Sequence, residues 1–225
     1  SSLSIETNGQ QKGQLDAILN QLNQENFLVT ENPFFELDQL KIKKELGNGS
    51  FGVVYLTEDK NTNDLYAVNL TTGQVQTVQT LSIYREINLM SSFNHPNILK
   101  FIGYSPTNFE GSFYPTIIME YCQNKTLSDI IKLSNKGLSP EKWDDTTKLI
   151  NIYGIASGMK YLHEQNIVHR DLKTQNILMD DQLFPKIADF GLSKMTKISE
   201  NSPSLNAQSM ADLKGTPLYM APEIL

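Results

Sequence analysis

A chain of 225 residues, 39% hydrophobic and 20% charged, has room for one large domain or two small ones with a buried core, and its composition argues against both a membrane protein and wholesale disorder. Its 19 Lys and Arg against 25 Asp and Glu leave a net charge of −6, which disfavours nucleic acid as a partner, since such affinity rests on phosphate neutralisation. A single cysteine, Cys122, excludes an internal disulfide and suits a reducing, cytoplasmic compartment.

No apolar run reaches the length of a membrane span; the best, residues 116–122, is broken by Glu120. The chain opens with Ser1 and has no basic-then-apolar leader, so no signal peptide is expected, and a processed, excised or incomplete chain is. Residues 1–34 read as a polar arm: Ser, Asn and Gln fill 13 of the first 33 positions. Leu15, Ile18, Leu19 and Leu22 line one side of a short helix there, either one amphipathic turn or two in a flexible arm or a docking helix for the domain behind it.

From about Phe35 the texture changes. Residues 40–46 partly alternate apolar and charged, a glycine cluster follows, and residues 53–56 and 65–68 are short apolar runs separated by turn residues 59–64. This predicts an antiparallel meander. Ile83, Ile87, Met90 and Phe93 keep helical spacing, and residues 98–104 and 116–122 read as two more strands. Thr126 with Asp129 fits a capping box, and Ser139-Pro140 predicts another helix start. Leu149, Ile152, Tyr153, Ala156, Met159 and Leu162 form a stripe suited to burial. Strands first and helices second predict an α+β fold of two lobes.

Gly47-Asn48-Gly49-Ser50-Phe51-Gly52-Val53-Val54 fits G-x-G-x-x-G-x-V. A dinucleotide fingerprint would open a helix at this point, and a Walker A loop would end in Gly-Lys-Ser/Thr. Here β-branched and aromatic residues follow, so the loop is a hairpin whose backbone N–H groups can approach phosphate closely. His169-Arg170-Asp171-Leu172-Lys173-Thr174-Gln175-Asn176 matches H-R-D-L-x-x-x-N in full, Asp189-Phe190-Gly191 stands thirteen residues past Asn176, and Ala221-Pro222-Glu223 closes the series. Four separated motifs in fixed order exclude coincidence.

On these motifs residues 35–225 resemble a eukaryotic protein kinase domain of the Ser/Thr type, nearest in flavour to the tyrosine-kinase-like group, with Lys173 and Gly215-Thr216-Pro217 pointing to Ser/Thr rather than Tyr. The resemblance implies a five-stranded antiparallel N-lobe sheet plus one helix over residues 35–122, and a mainly helical, incomplete C-lobe over residues 123–225. It implies ATP and Mg²⁺ as cofactors and a protein substrate bearing a Ser or Thr hydroxyl. Asp171 would accept the hydroxyl proton, Lys173 would steady the γ-phosphate, and Asn176 and Asp189 would hold Mg²⁺. Leu46, Gly47, Asn48, Gly49 and Gly52 would cover the nucleotide. Val54, Ala67 and Leu178 would sandwich adenine, Met119 would be the gatekeeper, and Glu120, Tyr121 and Cys122 the hinge. Met90, Phe101, His169 and Phe190 match the stacked spine. The segment from Asp189 to Glu223 resembles an activation loop with hydroxyls at Thr196, Ser199, Ser202, Ser204, Ser209 and Thr216, and a phosphate there would pair with Arg170.

Two departures stand out. The third strand should end in V-A-I-K, but this chain reads Tyr66-Ala67-Val68-Asn69, with an uncharged amide where a lysine should meet the α- and β-phosphates. Alternation puts residues 67 and 69 on one face, so Asn69 shares the cofactor side with Ala67. Glu86, which matches that lysine's partner, is expected to be left as a lone carboxylate. Residues 45–59 hold no Lys or Arg, and Lys44 lies upstream, so no replacement cation is expected. The chain also ends at Leu225, two residues after Glu223. That implies marginal stability and an uncovered stripe on residues 149–162 open to a partner. Besides a slowed kinase, the departures leave open a nucleotide-binding pseudokinase scaffold and an incomplete, non-functional fragment.

Overall fold

The computed structural model describes residues 34–49, 52–71, 77–195 and 215–222, together with Gly13. The expected helix of Leu15, Ile18, Leu19 and Leu22, the loop residues Ser50 and Phe51, the hydroxyls of Thr196, Ser199, Ser202, Ser204 and Ser209, and Glu223 lie outside the described residues. The chain divides into two compact units, residues 1–94 with 100–121 and residues 95–99 with 122–225.

The first unit is built on an antiparallel sheet of β1 (Leu40–Asn48), β2 (Gly52–Asp59), β3 (Leu65–Thr71), β4 (Phe101–Ser105) and β5 (Thr116–Glu120), in the order β1-β2-β3-β5-β4. The β2–β3 turn is tied by Asp59, whose carboxylate accepts from the backbone N–H groups of Asn61 and Thr62 at 2.7 and 3.0 Å, while Asn63 takes φ +62. Val68 and Ile118 pack with Leu37 and Leu40 in the core, and Phe35 meets Tyr66 edge-on at 5.6 Å. Helix α1 (Thr77–Ser91) buries Ile83, Tyr84, Ile87 and Met90, which hold a helical period. Phe93, expected on the same stripe, lies past the helix end. The hydroxyls of Ser91 and Ser92 donate to the carbonyls of Asn88 and Leu89 and draw the last turn closed. The strand expected from residue 98 starts only at Phe101. Leu99 instead donates to the Ile187 carbonyl at 2.9 Å, and Ile187 to the Asn97 carbonyl at 2.8 Å, which ties residues 97–99 into the second unit.

The second unit opens with α2 (Leu127–Asn135), closed at its start by the expected capping box of Thr126 and Asp129. Helix α3 (Asp145–Glu164) does not begin at Ser139-Pro140 as the sequence suggested. Its N-cap is Asp144, whose carboxylate accepts from the Thr147 N–H at 2.7 Å. Pro140 serves a separate turn closed by the Trp143 N–H. Strands β6 (Ile167–Val168) and β9 (Lys194–Met195) pair, and β7 (Ile177–Met179) with β8 (Pro185–Ile187) forms the hairpin expected between Asn176 and Asp189. Asp180 organises its turn, accepting from the N–H groups of Gln182 and Phe184.

Helix α3 packs through a line that shares only Leu162 with the apolar stripe, whose first half is left uncovered as expected. The buried line is Asn151, Gly154, Gly158 and Leu162, whereas Leu149, Ile152 and Tyr153 of the apolar stripe are 67%, 66% and 76% exposed. Two glycines four residues apart let the helix press against Asn97, Pro185 and Ile187. A Cβ on Gly154 would come within 2.8 Å of both the Asn97 amide nitrogen and the Pro185 ring. Asn97 cannot easily yield, since that nitrogen donates to the Pro185 carbonyl at 3.1 Å. Gly154→Ala should therefore lower stability by about 1 kcal/mol net, overpacking of about 1–3 kcal/mol outweighing the roughly 1 kcal/mol gained in helix propensity. Urea titration tests this: a denaturation midpoint at or above that of the parent chain contradicts the tight face.

Candidate active site

The densest polar cluster among the described residues lies in the second unit, between β6 and β7. His169 is 1% exposed. Its Nε2–H donates to the Ala188 carbonyl at 3.0 Å, and its Nδ1 accepts from the Asp171 N–H at 3.3 Å. Both ring nitrogens are committed in opposite senses, which only the neutral imidazole satisfies. Burial pushes the ring below its ordinary value of 6.5, against the upward pull of the Ala188 carbonyl and the Asp189 and Asp171 carboxylates. The ring also meets Phe190 at 5.2 Å. On either side of this link the backbone is strained: Arg170 and Asp189 take φ +68 and +65. Such outliers gather at functional sites and persist only where surrounding contacts over-determine them.

Asp171 is the hub. Lys173 Nζ donates to its Oδ2 at 2.6 Å, Asn176 Nδ2 to the same oxygen at 3.0 Å, and Thr216 Oγ1 to its Oδ1 at 2.7 Å. Lys173 Nζ donates also to Thr216 Oγ1 at 3.0 Å, and Asn176 Nδ2 to the Asp171 carbonyl at 2.9 Å. Burial works to raise the Asp171 pKa, but the bond to Lys173 outweighs it with help from Thr216, the Lys173 charge and Asn176. The carboxyl is held below its ordinary range. Thr216 reaches this position because Gly215 takes φ +132, where a Cβ would lie 2.6 Å from the Arg170 carbonyl oxygen. The sequence marks Thr216 as a loop hydroxyl and as part of the Gly215-Thr216-Pro217 run of the Ser/Thr type, but not as a partner of Asp171.

The amide nitrogen of Asn176 is spent on Asp171, so its Oδ1 is the free end, and it accepts no hydrogen bond among the described residues. The Ala188 N–H donates to the Asn176 carbonyl at 2.9 Å, which ties the backbone of 176 to the residue before Asp189. An amide oxygen and a carboxylate are hard donors that fit Mg²⁺, an ion that keeps waters and phosphate oxygens as further ligands. Among the described residues no three His, Cys, Asp or Glu form a metal cage of their own. Leu178 of β7, half-buried, bridges to Thr126, and Cys122 is buried.

The first unit carries the glycine hairpin. Gly47 pairs with Val54 and Asn48 with Val53, and the Gly49 N–H donates to the Gly52 carbonyl at 2.7 Å. Gly47 sits at φ +149, and Leu46 is exposed. Val54 lies directly opposite Asn69, and Ala67 opposite both Leu56 and Met119. The hairpin rests on Asn69: a Cβ on Gly49 would come within 2.9 Å of Asn69 Nδ2, 3.0 Å of its Oδ1 and 3.0 Å of Val54. Asn69 is buried, and its Oδ1 has no hydrogen-bond partner among the described residues. Lys44 is exposed and pairs across the sheet with Leu56, so it does not take the place of a cation at 69. Glu86, expected to stand alone, is buried but keeps a polar or charged partner. At the end of β5 the Glu120 N–H is taken by the Lys100 carbonyl at 3.0 Å and its carboxylate by the Lys100 N–H at 2.7 Å.

A five-stranded antiparallel sheet with a glycine hairpin, and a second unit in which an aspartate is gripped by a lysine, an asparagine and a threonine, are the arrangement expected of a kinase-like domain. The chain belongs to the protein kinase domain family, which residues 40–225 match. It is 36% identical over 184 residues to MAP3K epsilon protein kinase 1 of Arabidopsis thaliana, covering 80% of this chain and 12% of that protein. It is 36% identical over 190 residues to the serine/threonine-protein kinase CTR1 of the same plant, covering 83% of this chain and 21% of that protein. Cytokinesis protein sepH of Aspergillus niger is 35% identical over 198 residues, covering 84% of this chain and 13% of that protein. The chain thus spans about an eighth to a fifth of the length of these relatives. Among the described residues no helix is long and apolar enough to cross a membrane.

The neutral His169 sets a pH dependence. Its folded pKa lies below the unfolded 6.5, so the unfolded chain binds the extra proton, and stability is full above pH 6.5 and lost as pH falls toward the folded value. His95, stacked on Tyr161 and also depressed by burial, acts in the same direction. Between pH 7.5 and 5.5, above the carboxylate range, the urea midpoint should fall on acidification, with each histidine contributing at most about 1.4 kcal/mol per pH unit. His169→Gln should flatten the profile; a parent midpoint that stays level or rises on acidification contradicts the neutral-ring assignment.

Proposed function

We propose that the chain is a protein serine/threonine kinase domain that transfers the γ-phosphate of ATP to Ser or Thr hydroxyls of proteins, slowed by Asn69. The observation that carries the reading is the ionised Asp171 carboxylate, held by Lys173, Asn176 and Thr216. A carboxylate kept in its basic form accepts the proton of the substrate hydroxyl, whose oxygen forms the new bond to phosphorus as the bond to the ADP oxygen breaks. Lys173 supplies a positive charge beside the transferred group. Asn176 Oδ1 and the Asp189 carboxylate are the donors for Mg²⁺, which when bound neutralises phosphate charge. Backbone N–H groups over Gly47, Asn48, Gly49 and Gly52 approach phosphate with Leu46 at the edge, and Val54, Ala67 and Leu178 pack on adenine, with Glu120 and Cys122 at its polar edge. A chain whose single cysteine, Cys122, is buried suits a cytoplasmic setting.

Asn69 favours a second reading, a nucleotide-binding scaffold with little chemistry. The amide offers no charge to the α- and β-phosphates, and one preorganised electrostatic contact is typically worth about 10²–10³ in turnover. The two readings separate on incubation with Mg·ATP and a generic protein substrate. Measurable transfer is expected from the parent chain, about 10²-fold more from Asn69→Lys, and background from Asp171→Asn. Thr216→Val, which removes both the donor to Asp171 and the acceptor for Lys173, should cut transfer at least tenfold, while Thr216→Ser retains it. A parent chain no better than Asp171→Asn, yet stabilised thermally by Mg·ATP, overturns the enzyme in favour of the scaffold.

A further inference from the structure

The second unit carries a cavity of about 320 Å³ whose lining includes the aliphatic residues Ile130, Leu133 and Pro140 and three cations, Lys125, Lys132 and Lys136. It runs along α2, outside the Asp171 cluster. The one acid in its lining, Asp129, is already committed: it closes the capping box with Thr126 and faces Lys132 at 3.6 Å. Three positive charges against one committed negative make this face locally basic on a chain whose net charge is −6.

Helix electrostatics explains only part of the arrangement. Lys132 and Lys136 lie in the last turn and at the C-cap of α2, where cations favour the helix dipole. Lys125 stands just before the N-cap, where a cation is unfavourable, and it adopts φ +60, which most side chains avoid. Its backbone is fixed there, its carbonyl accepting from the Met179 N–H at 2.9 Å while the Asn124 N–H donates to the Met179 carbonyl at 3.1 Å. The Lys125 charge helps hold the capping carboxylate of Asp129 ionised, and its side chain lines the same cavity as Lys132 and Lys136.

We propose that the face of α2 lined by Lys125, Lys132, Lys136, Ile130 and Leu133 docks an extended acidic peptide segment of a partner protein, anchored by an aliphatic side chain. The cations do not converge on one point. They are strung along a nine-residue helix about 13 Å long, which is more than a single phosphate spans and about four residues of extended chain. Lys132 and Lys136 are separated by about 6 Å of helix rise, close to the roughly 6.6 Å between carboxylates two residues apart on a strand. The aliphatic floor takes the anchor, with Leu133 38% exposed. The proposal stands whether or not the chain transfers phosphate.

Fluorescence anisotropy of the full chain with a dye-labelled Glu-Asp-Leu-Glu-Asp peptide tests it. The peptide should bind at least tenfold tighter than its Gln-Asn-Leu-Gln-Asn counterpart and weaken as salt rises. Replacing its leucine by serine should cost at least threefold. Lys132→Glu with Lys136→Glu should lose at least tenfold and gain affinity for a Lys-Lys-Leu-Lys-Lys peptide, a reversal that a merely misfolded variant does not give. Lys125→Gln should lose several-fold. Equal affinity for the acidic and amide peptides, indifference to the leucine, unchanged binding by the double variant, or complete displacement by millimolar inorganic phosphate would each overturn the proposal.

Discussion

The second unit is organised by one demand, that an imidazole stay neutral. His169 donates through one nitrogen and accepts through the other, so a single ring fixes the backbone of Asp171 relative to Ala188. The residues on each side, Arg170 and Asp189, are held in left-handed backbone conformations that cost about 1–3 kcal/mol each. A protonated ring has no lone pair for the Asp171 N–H, and the chain would lose the tie that opposes this strain. Burial, which disfavours the cation, is therefore part of how the site keeps its shape.

The same region shows how a carboxylate is kept ionised inside a protein. Desolvation alone would raise the Asp171 pKa. A cation, an amide N–H and a hydroxyl reverse that tendency, and they come from two separate stretches of chain: Lys173 and Asn176 from the loop before β7, Thr216 from beyond β9. The glycine at 215 belongs to this electrostatics as much as to the backbone, because any side chain there would drive the loop off the Arg170 carbonyl and carry Thr216 away.

Much of this was legible in the residues, and the failures share a cause. The capping box at Thr126, the sheet and the hairpin between Asn176 and Asp189 rest on local rules of spacing and turn chemistry. Helix α3 defeated the same rules because periodicity registers large apolar side chains. Its packed face is made of Gly154 and Gly158, which contribute closeness of approach and no hydrophobicity. Ser139-Pro140 failed as a helix start because a second capping residue, Asp144, stands five residues on and is the one that caps α3. Thr216 was hidden because its partners lie more than forty residues away in sequence, a distance that no local pattern spans.

Asn69 joins these themes. Its carboxamide oxygen is buried without a partner among the described residues, a state that costs about 1–3 kcal/mol in a folded protein. The glycine hairpin presses on it so closely that even one methyl group at Gly49 would collide with the amide. A site optimised only for folding would fill that space with a hydrocarbon of the same shape. A polar group kept there at a cost is instead a group waiting for a donor or a charge to meet it, which is the state expected of a binding surface before its ligand arrives. The amide retains polarity at that place and lacks only the charge.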